Sequence, residues 1–252
     1  MKDESLKEIQ NDVPVESNRS TSSAFFLQYK VELSPLEGSV LLIAKELIEK
    51  HYLLNAQDLY LQAVRRFKEG TPISIKETIE ALISKRILFD GSSITRDEVL
   101  KNETRVKIFQ LIFEKPGIHI SAIRALLAKD SRSVLYHLKI LERYGFVRSE
   151  QINNNTAYYE FNSSKEFDTI HYYFQKDKAS TIFFAIFENP SISFEDLSVI
   201  LKESISSQTL LRKVKILLEN KLLTGKFESS QIIALDIPVK YRSFVKTLSS
   251  YK

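Results

Sequence analysis

The stretch NETRVKIFQLIFEKPGIHISAIRALLAKDSRSVLYHLKILERYGFVRSEQINNNTAYYEF, residues 102–161, decides how the rest of the chain is read. Asn102 carries the short polar side chain of a helix N-cap. Val106, Ile108, Phe109, Ile112 and Phe113 follow at helical spacing until Lys115-Pro116-Gly117 stops the run, which predicts a helix over about 103–114. Ile118 to Ile120 opens a second element that continues through Ile123, Leu126 and Leu127, a helix over about 120–128. Lys129-Asp130-Ser131 then supplies a turn whose Asp or Ser oxygen can cap the next helix. Val134, Leu135, Leu138, Ile140, Leu141 and Tyr144 mark that third helix, over about 132–144, and Gly145 can end it in the left-handed conformation. Phe146-Val147-Arg148 and Ala157 to Phe161 read as two strands around Asn153-Asn154-Asn155, residues that tolerate positive φ at a hairpin tip.

Three helices followed by a hairpin are the layout of a winged helix. The pattern recurs. Ile112 to Pro116 matches Ile186 to Pro190 at an offset of 74, and Lys139-Ile140-Leu141 matches Lys215-Ile216-Leu217 at an offset of 76, so two residues are inserted before the second copy's third helix. A hairpin over Leu222–Phe227 and Ile232–Leu235 closes that copy, and Pro238 starts a C-terminal helix over Val239 to Tyr251. A weaker copy precedes both: Val40 to Leu47, Leu59 to Phe67 and Ile75 to Ile83 lie on three helices, with Asp90-Gly91 as the turn of a hairpin. A simple helical cap is the alternative there. The expected fold class is mainly α with small β-hairpin wings, in two to three tandem winged-helix domains. The expected boundaries are a disordered tail (1–24), an N-terminal helical domain and divergent winged helix (25–99), a winged-helix DNA-binding domain (100–164) and a second winged helix with a C-terminal helix (165–252).

Composition narrows the function. The 252 residues hold 43% hydrophobic and 27% charged residues, as in ordinary globular chains. The absence of cysteine removes disulfides, thiolate metal sites and cysteine nucleophiles. With no apolar leader and no long apolar run, a cytoplasmic protein without membrane contact is expected. The net charge of +4 is unevenly spread: −2 in residues 1–24, −1 in 25–99, +4 in 100–162 and +3 in 163–252. Positive charge therefore gathers where a polyanion would bind.

In a winged helix the third helix enters the major groove. Its exposed face in the middle copy is expected to carry Arg132, Ser133, Tyr136, His137, Lys139 and Arg143, all able to donate to phosphates or base edges, with a phosphate-favouring helix N-terminus at Ser131. Arg148 and Asn154 place further contacts on the wing. In the last copy Ser207, Gln208, Arg212 and Lys215 occupy the equivalent helix, whereas Glu77 and Glu80 stand in the way in the first. The first domain is thus expected to bind a protein partner or to dimerise. His51, His119, His137 and His171 lack metal-ligand spacing, His119 being better placed to cap or pack; no phosphate loop or catalytic constellation occurs, so no metal, no cofactor and no enzyme activity are expected.

The sequence Lys115-Pro116-Gly117-Ile118-His119, followed by Ser131 to Leu141 with its Tyr136-His137-Leu138 phrase and then Tyr144-Gly145-Phe146-Val147, resembles archaeal winged helix-turn-helix transcriptional regulators of the ArsR/MarR-like group. The resemblance covers about 60 residues. It implies that Ser131, Arg132, Ser133, Tyr136 and His137 face DNA and that the wing around Asn153–Asn155 flanks it. Leu210-Leu211-Arg212 stands where the last copy would need the Tyr-His-Leu phrase, and the wing tip carries no basic residue. The expectation is a sequence-specific regulator of double-stranded DNA acting as a homodimer. The competing reading is a tandem winged-helix protein scaffold, similar to endosomal sorting complex II or basal transcription-factor subunits, which an exposed apolar patch on helix three would favour.

Overall fold

A computed structural model describes residues 29–67, 71–176, 178–229 and 231–249. The chain divides into two compact units: residues up to Ser84 with Leu88–Ser93, and Lys85–Ile87 with Ile94 onward.

The first unit holds three helices, α1 (Pro35–His51), α2 (Ala56–Arg66) and α3 (Pro72–Ser84). Ser34 and Glu37 form a reciprocal capping box on α1, and Asn55 accepts hydrogen bonds from the Gln57 and Asp58 amides at the start of α2. Val40, Ala44, Leu59, Ala63, Ile75 and Leu82 are fully buried between them. The hairpin expected at Asp90-Gly91 is not formed, because residues 85–95 contain no strand. Their polar backbone is satisfied otherwise: Leu54 N–H donates to the Ser92 carbonyl at 2.8 Å, Gly91 N–H donates to the Leu54 carbonyl at 2.7 Å, and the Asp90 carboxylate accepts from the Ala56 amide at 2.8 Å. The segment serves as a brace for the start of α2 instead of a wing.

The second unit begins with α4 (Arg96–Val99) and α5 (Glu103–Glu114). Strand β1 (Ile118–His119), α6 (Ile120–Leu127), α7 (Ser131–Arg143) and the strands β2 (Val147–Ile152) and β3 (Asn155–Glu160) follow. All three strands are antiparallel in the order β1-β3-β2, with Ile118 opposite Tyr158 and Ile152 opposite Asn155. Asn102 caps α5 and Gly145, at φ 68°, follows the end of α7, as the sequence predicts. Val99, Ile108, Phe109, Ile112, Ile123, Val134, Leu138 and Leu141 are fully buried helical residues of this core. Phe109 meets Phe146 edge-on, with ring centres 5.7 Å apart.

A short 3₁₀ turn (Lys165–Phe167) leads into α8 (Asp168–Phe174), α9 (Ala179–Glu188), α10 (Phe194–Leu201) and α11 (Ser207–Glu219). The hairpin β4 (Thr224–Glu228) and β5 (Gln231–Asp236) and the terminal helix α12 (Val239–Ser249) complete the unit. Helix α10 repeats α6 at an offset of 74 and α11 repeats α7 at 76, so the two added residues lie in the connecting turn. Phe183 takes the buried place of Phe109, and an isolated bridge between Ile192 and Leu235 stands where β1 pairs with β3. One buried cluster runs from Ile152, Ala157 and Tyr159 of the wing through Ile170 and Tyr172 of α8 to Tyr241 and Val245 of α12. The fold is mainly helical with small antiparallel wings.

Candidate nucleic-acid interface

Helix α7 is built to be held from behind. At about 100° per residue, Val134, Leu138 and Leu141 fall on one side and are fully buried, while Arg132, Leu135, Tyr136, Lys139 and Arg143 fall on the other and are exposed. Ser131, Ser133 and His137 are half-buried. Tyr144 is buried and its hydroxyl donates to the Ile94 carbonyl, fixing the helix's C-terminal end. Arg86 donates to the Glu142 carbonyl at 2.9 Å and to Arg143 at 3.3 Å, a cation on the negative end of the helix dipole. Arg105 lies behind the helix: it is buried, its guanidinium donates to the Val99 carbonyl, and burial holds its pKa below the usual arginine value.

The N-terminus of α7 is not open to phosphate as the sequence suggested. The Asp130 carboxylate accepts from the Arg132 and Ser133 amides, both at 2.9 Å, and these backbone bonds hold its pKa below the usual value. A carboxylate on the first free amides competes with any phosphate there, which leaves phosphate contact to side chains.

His137 is turned partly inward against Tyr136, ring centres 5.3 Å apart, and its buried Nδ1 has no hydrogen-bond partner. Burial, then Arg105 and Lys129, holds its pKa below the ordinary histidine value. His119 accepts from the Ala122 amide at 3.3 Å through Nδ1 and so caps α6; burial and Lys176 depress it too. His171, edge-on to Phe244 at 4.7 Å, is depressed by burial above all, with Asp168 opposing. All three take up protons at lower pH in the fold than in the unfolded chain, where the ordinary value is 6.5. Their contribution to stability is therefore complete above that value and is lost as pH falls through the folded values. Urea midpoints compared at about pH 7.5 and about pH 5.5 should fall at the lower pH, and less steeply for His171→Phe; a flat profile would contradict the burial of these rings.

The wing separates the expected contacts. Asn154 is exposed at its tip, beside Asn153, whose φ is 53° and whose amide donates to the Tyr173 hydroxyl at 2.8 Å. Arg148 is committed to the fold instead. Its guanidinium forks onto Asp168 at 2.6 and 2.8 Å, donates to the Ser163 hydroxyl at 2.9 Å and covers the Tyr159 ring, leaving 11% of the side chain exposed. No interface built on this geometry includes Arg148.

On α11, Ser207, Gln208, Arg212 and Lys215 are exposed together, with Ser206 as the cap. A cleft lies between this helix and its hairpin. Phe194, Leu211, Leu218, Phe227, Ile232 and Ile233 line this cleft of about 710 Å³ together with Lys215, Glu195 and Glu219. On α3, Glu77 and Glu80 are exposed, Glu80 at 3.8 Å from Lys76. Among the described residues no group of three or more His, Asp or Glu side chains could hold a metal ion, and no helix is long and apolar enough to cross a membrane.

Sequence reasoning missed Arg86, Arg105 and the exposure of Leu135. The two arginines act through long-range contacts that no local pattern announces. Leu135 was legible, since it sits three residues after Arg132 and four before Lys139 on the basic face.

Residues 102–172 match the HVO_0163 N-terminal HTH domain family model, a span that starts at the cap of α5 and ends in α8. The chain is also 26% identical over 170 residues to an uncharacterized HTH-type transcriptional regulator of Methanocaldococcus jannaschii, an alignment covering 66% of this chain. The chain spans 42% of that relative's length.

Proposed function

We propose that this protein is a DNA-binding transcriptional regulator whose α7 enters the major groove of double-stranded DNA. The observation that carries the reading is the exposed stripe of α7, where Arg132, Lys139 and Arg143 share one face of a helix anchored at both ends and backed by a full core. The match of residues 102–172 to an N-terminal HTH domain supports it, as does the name of the methanogen relative. Arg132, at the leading end, forks onto a guanine edge; Ser131, Ser133, Tyr136 and His137 position the helix; Lys139 and Arg143 take phosphates, with Asn154 of the wing beside them. The grouping with archaeal ArsR/MarR-like regulators rests on Lys115–His119, on Ser131–Leu141 with its Tyr136-His137-Leu138 phrase, and on Tyr144–Val147.

The boundaries 25–99, 100–164 and 165–252 divide the chain into an N-terminal helical domain and two tandem copies of one winged helix, a duplication supported by the offsets of 74 and 76, while the tail expected over 1–24 lies outside the described residues. The N-terminal domain supplies partner binding or homodimer contacts, in keeping with Glu77 and Glu80 on its third helix and with the exposed apolar side chains Leu42 and Ile73. The α11 copy, through Ser207, Gln208, Arg212 and Lys215, adds contacts to DNA. A second reading is favoured for that copy alone: its apolar cleft suits protein docking, the scaffold use of a winged helix.

Fluorescence anisotropy of the full chain with random-sequence and native upstream duplexes at two salt concentrations tests the proposal. Binding should weaken steeply with salt. Lys139→Ala should weaken binding to all sequences and lower the salt slope by about one, whereas Arg132→Ala should cost about 1–3 kcal/mol on preferred sequences and relax the preference. Equal effects of both would refute the assigned roles, and no binding at low salt would refute the DNA reading.

A further inference from the structure

We infer that Leu135 and Tyr136 of α7 form an apolar reader of thymine, contacting its C5-methyl group in the major groove. The inference rests on the DNA reading above and adds its base preference. Leu135 is 40% and Tyr136 60% exposed, at the centre of a face whose other exposed members are Arg132 on the N-terminal side and Lys139 and Arg143 on the C-terminal side. In a groove-bound helix the flanking cations reach phosphates and guanine edges, and the central positions meet the base edges. Leucine offers no donor or acceptor there. The thymine methyl is the one apolar group that the major groove presents, so an apolar side chain at the centre of a basic stripe selects it. Tyr136 packs edge-on against the His137 ring, ring centres 5.3 Å apart, which leaves its exposed phenol fewer rotamers to lose. The position equivalent to Leu135 in the second copy, Leu211, lines the apolar cleft toward the hairpin, so this reader belongs to α7.

The test uses duplexes enriched by the full-length protein from a random pool, synthesised with thymidine or with deoxyuridine, which pairs identically but lacks the methyl. Wild-type Kd should rise about fourfold for each contacted methyl that is removed. Leu135→Ala should lose part of that discrimination and Leu135→Ala combined with Tyr136→Ala nearly all of it, whereas Leu211→Ala should keep the wild-type discrimination. An unchanged wild-type Kd on deoxyuridine duplexes overturns the inference while leaving DNA binding intact. An equal loss in wild type and Leu135→Ala also overturns it, because the methyl would then act through duplex shape. Absence of salt-dependent binding to either duplex overturns the DNA reading and this inference with it.

Discussion

Asp168→Ala should destabilise the second unit by about 3–5 kcal/mol, the range for removing one partner of a buried ion pair, and lower its melting temperature by roughly 6–20 °C. The carboxylate's side chain is 6% exposed, and both of its oxygens accept from the Arg148 guanidinium. That hydrogen bond is the main cause of the raised Arg148 pKa, with burial opposing it. Without the carboxylate a cation stays in a partly dry site, facing the Tyr159 ring and the Ser163 oxygens, which cannot neutralise it. Burial, with the Asp168 charge, pushes the Tyr159 phenol well above its ordinary value, and its hydroxyl donates to the Asp168 carbonyl at 2.8 Å; the phenol thus supplies no replacement anion, and Glu150 acts on the guanidinium only as a lesser charge. The double variant Arg148→Met with Asp168→Leu should regain most of the loss, because apolar side chains of similar volume replace buried pairs at little cost. Anisotropy then separates the two roles open to Arg148. If it serves the fold, the double variant binds DNA as the wild type does; a loss of affinity with wild-type stability would return Arg148 to the interface.

That arginine shows where sequence reading reaches its limit. Helical spacing, caps and glycine stops located α5, α6 and α7 almost to the residue, because each depends on neighbours within one or two turns. The exposed stripe of α7 follows from the same periodicity. Arg148 instead looked like a wing cation, and only the fold brings Asp168, twenty residues on, against it. The first unit failed differently. Asp90-Gly91 is a sound turn signal, and a turn forms there, yet no strand follows because the flanking backbone finds Leu54 instead of a sister strand. The Asp130 cap shows a third limit: the sequence allows either Asp130 or Ser131 to cap α7, and only the fold shows the Asp130 carboxylate on the Arg132 and Ser133 amides, where it competes with phosphate.

Gly117→Ala should be the second severe substitution, with a loss of roughly 3 kcal/mol, from two causes that a control separates. Gly117 has φ 85°, in the left-handed region, where a Cβ alone costs about 1–2 kcal/mol. An added Cβ would also lie 2.7 Å from the Tyr172 nitrogen and 2.8 Å from its Cα. Both are backbone atoms of α8, so no rotamer change relieves the clash and the helix has to shift. Gly91, at φ 69° with nothing within 4 Å of its Cβ position, carries the conformational cost alone. The excess loss in Gly117→Ala over Gly91→Ala therefore measures how closely α8 packs on the turn that precedes β1. That packing matters beyond stability. Gly117 donates to the Tyr158 carbonyl at 2.9 Å, and α8 carries Asp168 and Tyr173, which hold Arg148 and the wing tip. A displaced α8 should loosen the wing, seen as faster amide exchange at Asn155–Glu160. Equal denaturation midpoints for the two glycine variants, scaled to their own units, would show that α8 does not approach Gly117 so closely.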